Sequence, residues 1–243
     1  MSALRASGSA SVADLATTLH VTEATVRRAL QRLAREGRVI RTYGGATLAE
    51  AGSLPLTEAQ DPQIAYKRAV AEAGSRLVKD GATIALSSGT TVVEMARLLR
   101  ERRLTVITNA LDVANTLLDA PGIELIVLGG VVLPEMHSMR GHIAEVALRD
   151  LRADTVYMGT SAIDLDTGFM TEQVREIAID RALRGIAREA VILADASKFD
   201  RVAPGFMFGF EQVSTVVTDD RIDEATRSAI ESRGTSVRIG KLR

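Results

Sequence analysis

A run of hydroxyl side chains around one glycine is the segment best suited to binding chemistry. Its members are Ser87, Ser88, Gly89, Thr90 and Thr91. They follow an apolar run at 83–86 and precede a stretch of helical character. The first N–H groups of a helix have no partner within it, and the helix dipole adds partial positive charge there. The segment therefore predicts an anion site, with an ordinary capped loop as the alternative; no Gly-Lys-Thr of a Walker motif follows.

Further polar residues and glycines follow other apolar runs or lie close to them. They are Thr108, Asn109, Gly129, Gly130, Arg140, Gly141, Gly159, Asp164, Asp195 and Lys198. Lys198 stands out because only four of the 30 basic residues are lysines. An Asp–Lys pair at a strand end can bind a sugar hydroxyl and a phosphate together. The alternatives are a solvated Lys198, a plain turn at Gly129-Gly130, and an Asp164 that only closes a turn with Gly168.

The apolar runs themselves predict the element that would hold these groups. The strand candidates are residues 83–86, 105–108, 124–128, 155–159, 190–194, 214–218 and 235–239. Several are apolar almost throughout, as in strands covered on both faces, and helical stretches lie between them. We therefore predict an α/β fold with a doubly wound, mostly parallel sheet, preceded by a helix near 63–79. Ligands of such sheets bind beyond the carboxyl ends of the strands.

The N-terminal segment has the spacing of a helix-turn-helix. Ser11 is a candidate N-cap, and Val12, Leu15 and Leu19 repeat at helical spacing behind it, which predicts that they face a core. Thr22 is the second candidate cap. The following helix spans 23–36, with Val26, Leu30 and Leu33 on one face and Gly37 as its C-cap. A turn of about three residues between two helices is typical of DNA-binding proteins.

The second helix and the segment after it offer side chains suited to DNA. Residues at the start of such a helix reach base edges, while arginine and hydroxyl groups also bind phosphates. Residues 38–43 alternate like a strand before Gly44-Gly45, which permits a hairpin wing. The candidate DNA contacts are Thr22, Glu23, Thr25, Arg27, Arg28, Gln31, Arg32, Arg38, Arg41 and Tyr43. A small helical domain with a solvated arginine face is the alternative.

The charge distribution favours the DNA interpretation. The 243 residues carry a net charge of −1. Residues 1–47 hold seven arginines against three acidic residues, which makes this segment +4 and the remainder −5. A basic segment joined to an acidic body is typical of a protein that binds a polyanion.

Composition excludes several other classes. There are no cysteines, so disulfides and cysteine-ligated zinc are excluded, and three scattered histidines make a metal site unexpected. We expect no cofactor, no membrane span and no signal peptide, and hence a cytoplasmic protein. The linker composition of 48–62 divides the chain into a winged helix-turn-helix domain at 1–47 and an α/β domain at 63–243.

These motifs resemble those of the DeoR-type bacterial repressors over nearly the whole chain. In the first domain the resemblance rests on residues 22–30 and 36–46, and Ala29 and Tyr43 stand where the family usually has Asp and His. The family has a full helix before the capping serine, whereas only ten residues precede Ser11 here; we expect a start upstream of Met1 or a shortened first helix. In the second domain the matching residues are Lys67, 87–91, 108–109, 129–130, Gly141, Gly159, Asp164, Gly168 and 195–199.

The resemblance implies a repressor of a carbohydrate catabolic operon. It implies a sensor domain similar in fold to ribose-5-phosphate isomerase, a phosphorylated sugar or related metabolite as effector, and binding of operator DNA as a dimer or tetramer. Two alternatives remain open at this point. An isomerase-like enzyme could recruit Asp164, Asp195 and Lys198, although the Lys-Gly-Gly-Gly run of the isomerases is absent. A constitutive DNA-binding protein with a non-functional sensor is the other.

Overall fold

The computed structural model describes residues 9–19, 21–35, 39–42, 45–48 and 61–242. The chain divides into two compact units, Met1–Pro62 and Gln63–Arg243. Most of the predicted linker, residues 49–60, lies outside the described residues, as do Gly37 and Gly44.

The first unit contains a helix pair and a small antiparallel sheet. Its elements are β1 (Ser9–Ser11), α1 (Val12–Leu19), α2 (Glu23–Arg35), β2 (Val39–Thr42) and β3 (Gly45–Leu48). Both predicted caps are formed, because Ser11 Oγ accepts from Asp14 N–H at 3.1 Å and Thr22 Oγ1 accepts from Thr25 N–H at 3.3 Å. These bonds satisfy N–H groups that the helices leave open.

The predicted hairpin is confirmed and is extended by a strand that the sequence did not reveal. The sheet order is β1-β3-β2, and Arg41 of β2 lies opposite Ala46 of β3. Val12, Leu15, Val26 and Leu30 are buried, as the helical spacing predicts. The expectation for Leu19 was wrong: it is the last residue of α1 and is 54% exposed.

The second unit is built on a seven-stranded parallel sheet, which confirms the predicted fold class. Its strands are β4 (Thr83–Leu86), β5 (Leu104–Thr108), β6 (Ile123–Val127), β9 (Ala153–Met158), β12 (Ala187–Leu193), β14 (Thr215–Asp219) and β15 (Ser236–Gly240). Each overlaps one of the seven predicted runs, and β4 has the predicted bounds.

One α-helix precedes these strands and others lie in the connections between them, since crossovers between parallel strands usually contain a helix. They are α3 (Ile64–Ser75), α4 (Thr90–Leu99), α5 (Leu111–Leu117), α6 (His142–Leu148), α7 (Ile177–Ile186) and α8 (Glu224–Ser232). Short 3₁₀ helices span Val174–Glu176, Ala196–Lys198 and Phe210–Gln212. Within the described ranges, no helix has both the length and the apolar character needed to cross a bilayer.

Short antiparallel strands complete the unit. A hairpin joins β7 (Val131–Leu133) to β8 (Ser138–Arg140). A second small sheet has the order β10-β11-β13, formed by Ala162–Asp164, Gly168–Thr171 and Gly205–Phe208. These strands were not predicted, because three or four residues give too little periodicity to read.

The parallel sheet is covered by a hydrophobic cluster on each face. Ile84 and Leu86 belong to one cluster, whereas Ala85 between them belongs to the other. The same alternation separates Val191 and Leu193 from Ile192. Side chains of a strand point to opposite faces in turn, so two buried faces explain why these runs are apolar almost throughout.

The winding of the chain reverses between two neighbouring strands of the sheet, whose order is β15-β14-β12-β9-β4-β5-β6. From β4 the chain adds β5 and β6 on one side. It then returns to place β9 on the other side of β4, and continues outward through β12, β14 and β15. The connections after β4 and β9 therefore leave in opposite directions, which opens a crevice at the carboxyl ends of these two strands.

Candidate functional site

The crevice between β4 and β9 is opened further by a glycine. Gly159 follows β9, and a Cβ atom placed on it would lie 3.7 Å from the carbonyl oxygen of Ser88 and within 4 Å of no other atom. Space therefore exists beside the loop that follows β4. Asp195 follows β12, the next strand on the far side of β9.

The loop after β4 leads directly into α4. Gly89 is its N-cap residue and has φ +124°, a value that side chains disfavour. The carbonyl of Gly89 accepts from Val93 N–H at 3.0 Å. The N–H groups of Thr90, Thr91 and Val92 precede that bond and have no acceptor within the helix. This is the geometry that binds anions at a helix N-terminus.

A lysine from another helix reaches the same end of α4. Lys67 lies on α3, and its Nζ donates to Thr90 Oγ1 at 2.8 Å. The ammonium group thus adds a full positive charge beside the open N–H groups. Arg68, the next residue, pairs with Glu94 of α4 at 3.0 Å and fixes the two helices against each other.

A second polar cluster lies at the ends of β12 and β14. Asp195 is 1% exposed, and its Oδ1 accepts from Ser197 N–H at 3.1 Å, whereas its Oδ2 has no hydrogen-bond partner among the described residues. A buried carboxylate oxygen is normally hydrogen-bonded, so Asp195 Oδ2 is available as an acceptor. Lys198 ends the 3₁₀ helix that Asp195 caps and is half-buried.

Asp219 and Arg221 hold this cluster together. Asp219 Oδ2 accepts from Ala196 N–H at 2.7 Å, and Arg221 Nε donates to Asp219 Oδ1 at 2.7 Å. Burial opposes ionisation, yet the bonds from Arg221 and from Ala196 hold the pKa of Asp219 below its ordinary value. The Arg221 guanidinium lies 3.3 Å from the centre of the Tyr66 ring on α3.

The loop after β5 and the β7–β8 hairpin form a third polar group. Asn109 Nδ2 donates to the Met139 carbonyl at 3.1 Å, while Asn109 Oδ1 is buried without a partner among the described residues. Arg140 Nε is likewise buried and unpartnered within that part of the chain. Gly130, at φ +144°, lies so close to this strand that a Cβ atom would be 2.6 Å from the Arg140 carbonyl oxygen.

A buried carboxylate that sequence reasoning missed joins the first and third groups. Glu176 is 3% exposed and accepts from Ser88 Oγ at 3.2 Å and from Ser138 Oγ. Burial raises the pKa of Glu176, while the bonds from Ser138 and Ser88 and the charge of Arg140 lower it in part. No local signal marks this residue, because its partners are 88 and 38 residues away in the chain.

A second buried carboxyl group lies on α7, four residues after Glu176, which is the N-cap residue of that helix. Asp180 is 6% exposed, and burial raises its pKa to about 8, with the charge of Glu176 acting in the same direction. Residues four apart face the same side of a helix, so the two groups are neighbours.

In the first unit, the helix α2 presents one apolar and one exposed face. Val26 and Leu30 are buried, whereas Thr22, Glu23, Thr25 and Arg28 are exposed. Thr25 and Arg28 are three residues apart and therefore share a side of the helix.

Comparison with known proteins identifies both units. Residues 1–51 match the model of the DeoR-like helix-turn-helix domain, and residues 62–220 match that of the DeoR C terminal sensor domain. The chain belongs to the DeoR family of transcriptional regulators. As a family member it is a DNA-binding protein with a C-terminal sensor domain.

Curated relatives of this DeoR-family regulator are named as repressors. The HTH-type transcriptional repressor CsqR of Escherichia coli (strain K12) is 32% identical, over 92% of this chain and 87% of its own. The transcriptional repressor AccR of Agrobacterium fabrum is 30% identical, over 87% of this chain and 82% of its own. The expectation that the chain is not an enzyme agrees with these relatives.

Solved structures that resemble the DeoR-family chain are more distant. A ribose 5-phosphate isomerase from Methanocaldococcus jannaschii has a TM-score of 0.41 and 20% identity, covering 55% of this chain and 53% of its own. The eIF2B delta structure from Chaetomium thermophilum has a TM-score of 0.47 and 16% identity, covering 63% of this chain and 54% of its own.

Two residues predicted to bind the effector form hydrogen bonds within the regulator itself. Thr108 is fully buried; its hydroxyl donates to the Leu86 carbonyl at 2.8 Å and accepts from Ala110 N–H at 3.0 Å, which ties β5 to β4. Asp164 closes the β10–β11 turn, because its Oδ1 accepts from the N–H groups of Asp166 and Thr167 at 3.2 and 2.7 Å. A hydrogen bond from the Thr167 side chain, followed by these backbone bonds, holds the pKa of Asp164 below its ordinary value. These bonds give each residue a structural role, and binding of the effector by Thr108 and Asp164 stays a prediction.

The predicted DNA contacts are described only in part. The side chains of Thr22, Glu23, Thr25 and Arg28 are exposed. The backbones of Arg27, Gln31 and Arg32 lie on α2 and that of Arg41 on β2, but their side chains lie outside the described part. Arg38 and Tyr43 lie entirely outside it.

Proposed function

We propose that this chain represses a carbohydrate catabolic operon and that a phosphorylated sugar or related metabolite controls it. The single observation that carries the proposal is the open crevice at Gly159, with a cationic, donor-rich loop on one side and an unpartnered buried carboxylate oxygen on the other. A ligand with an anionic end and hydroxyl groups fits that arrangement.

The anionic end of the ligand binds at the start of α4. Donors there are the open N–H groups of Thr90 and Thr91, the Thr90 hydroxyl, and the Lys67 ammonium group. A phosphate monoester carries up to two negative charges and needs several donors at once. The backbone conformation of Gly89 allows the loop to close around it.

The hydroxyl groups of the ligand extend across Gly159 toward the end of β12 and, on the other side of β4, toward the end of β5. Asp195 Oδ2 and Asn109 Oδ1 are buried acceptors without partners in the described structure, and each suits a ligand hydroxyl. Lys198 and Arg140 supply donors beside them. Ser87, Ser88, Gly129, Gly130 and Gly141 shape this edge, and we assign them to the site on that basis.

The exposed face of α2 binds the operator. Arg28 and Thr25 share that face, and we assign Arg27, Gln31, Arg32, Arg38, Arg41 and Tyr43 to the same interface. Assembly as a dimer or tetramer would present two such helices to a symmetric operator. The effector acts by binding one arrangement of the assembly better than the other.

A binding screen tests the effector assignment. The wild-type protein is heated with individual sugar phosphates, polyol phosphates and their dephosphorylated forms. A ligand at about 100 times its dissociation constant should raise the free energy of unfolding by about 2.7 kcal/mol, and only phosphorylated compounds should do so. Stabilisation by the dephosphorylated forms alone would refute the proposal.

A second measurement tests control of DNA binding. Effector compounds from the screen should change the affinity of the wild-type protein for its operator, and Lys198→Ala should weaken that response. If the compounds bind but operator affinity never changes, the chain is a constitutive DNA-binding protein with a non-functional sensor.

A further inference from the structure

The hydroxyl groups of the loop after β4 differ in their hydrogen-bond partners and in whether they donate or accept. Ser87 Oγ donates to the Ser88 carbonyl at 3.2 Å, and Ser88 Oγ donates to Glu176. Thr90 Oγ1, in contrast, accepts from Lys67. The ammonium group has no lone pair, so Thr90 keeps its proton free to donate.

Glu176 fixes the direction of the Ser88 bond. An ionised carboxylate has acceptor sites only, so both Ser88 and Ser138 must donate to it. A serine that donates its one proton inward retains lone pairs that accept from elsewhere. Ser88 Oγ is therefore an acceptor toward any further partner, although its neighbours in the loop are donors.

We propose that Glu176 is a positioning residue that gives the loop two ends of opposite polarity. The Thr90 end, with Lys67, takes the anion of the effector, and the Ser88 end takes a hydroxyl group of the same molecule as a hydrogen-bond donor. This inference rests on the proposed effector site and adds a selection rule to it. The effector must carry a hydroxyl on the chain that bears its phosphate.

The surroundings of Glu176 suit this role. Burial raises the pKa of Glu176, and the hydrogen bonds from Ser138 and Ser88, followed by the charge of Arg140, offset part of that rise. Both serines donate to the ionised carboxylate. Ser138 is fully buried at the start of β8, so Glu176 also ties the β7–β8 hairpin to the loop. The carboxylate is held from two sides and cannot turn away from Ser88 at low cost.

The selection rule is tested with two phosphate esters that differ only in hydroxyl groups, ribitol 5-phosphate and n-pentyl phosphate. Their dissociation constants are measured by calorimetry on the full-length protein. The wild type should prefer ribitol 5-phosphate. Glu176→Gln should reduce that preference by about five- to tenfold, because the amide offers a donor as well as an acceptor and Ser88 loses its fixed direction. Ser88→Ala should reduce it similarly.

Two further variants separate this effect from general damage. Lys67→Met should weaken the binding of both esters by the same factor, because the Lys67 ammonium group interacts only with the phosphate that both esters carry. Glu172→Gln, a more exposed glutamate four residues before Glu176, should leave both constants unchanged. If Glu176→Gln fails to fold by circular dichroism, Ser88→Ala carries the test.

The outcomes distinguish the two proposals. If the wild type binds both esters and the preference survives in Glu176→Gln and Ser88→Ala, the positioning role is refuted and the effector site stands. If the folded wild type binds neither ester nor any compound of the phosphate screen, the effector site itself is refuted, and the role of Glu176 with it.

Discussion

Lys67 and Thr90, 23 residues apart in sequence, are joined by a 2.8 Å hydrogen bond between the ammonium group of α3 and the first residue of α4. The bond places a positive charge at the end of α4 where N–H groups are already open. It also connects the helix that begins the sensor unit to the loop proposed to bind the effector.

Replacing Lys67 with methionine should weaken binding of a phosphate ester by roughly 10- to 100-fold, because a charged hydrogen bond to the anion is lost. The side chain keeps nearly the same length, so packing changes little. Titration calorimetry with a ligand from the thermal screen measures the change. Lys79→Met, at an exposed position outside the site, is the control and should bind like the wild type. Equal affinities in the two variants would contradict the anion site.

Gly130 and Gly129 should respond differently to the same substitution. At Gly130, alanine must adopt φ +144° and place its Cβ 2.6 Å from the Arg140 carbonyl oxygen. At Gly129 the Cβ meets only Ile143, at an ordinary 3.6 Å. We expect Gly130→Ala to lower the free energy of unfolding by about 1–3 kcal/mol and Gly129→Ala to change it by less than about 0.5 kcal/mol. Chemical denaturation of both proteins measures this, and similar losses would show that the hairpin is placed differently.

Asp180 should make the protein less stable as the pH rises toward 8. Its folded pKa of about 8 lies well above the ordinary value, so between about pH 4 and 8 the folded state keeps a proton that the unfolded state releases. The contribution of Asp180 to the free energy of unfolding is complete below pH 4. As the pH rises from there toward 8, it decreases by up to about 1.4 kcal/mol per pH unit.

Asp180→Asn removes this titration and should flatten the decline in unfolding free energy between pH 5 and 8. Denaturant unfolding across that range is the measurement. Asp150→Asn, at an exposed position, should keep the wild-type slope. A mutant slope identical to that of the wild type would mean that Asp180 titrates normally.

Arg28 should contribute directly to operator affinity. It is exposed on α2, three residues after Thr25, and we expect Arg28→Ala to cost about 1–3 kcal/mol in binding. Operator fragments selected from random duplexes and a fluorescence titration at fixed salt measure it. Arg188→Ala, at an arginine 86% exposed on the sensor unit, is the control. Unchanged affinity in Arg28→Ala would remove α2 from the interface.

The main architecture could be predicted from sequence because its signals are local. Strands buried on both faces appear as continuous apolar runs, which is why all seven strands of the parallel sheet were found. The caps Ser11 and Thr22 were found for the same reason: a hydroxyl before a helical pattern needs no distant partner. Helical spacing wrongly predicted a buried Leu19, because this residue is the last of α1 and its side chain is exposed.

The site could be predicted only as a set of loops. Hydroxyls and glycines at strand ends are visible in the sequence, but the partner that decides the role of each is not. Thr108 is predicted as a ligand group, and the structure shows that its hydroxyl also joins two strands. Glu176 carries no local signal in the sequence, yet it accepts hydrogen bonds from two buried serines. Such distinctions depend on contacts between segments dozens of residues apart.

The reversal of winding between β4 and β9 has an evolutionary consequence. The gap there follows from strand order, so it persists whatever side chains surround it. Substitutions in the bordering loops can then change which ligand the proposed effector site prefers, while the sheet and the helix-turn-helix unit keep their folds. Duplicated copies of such a gene are thereby free to diverge in what they sense without first having to refold.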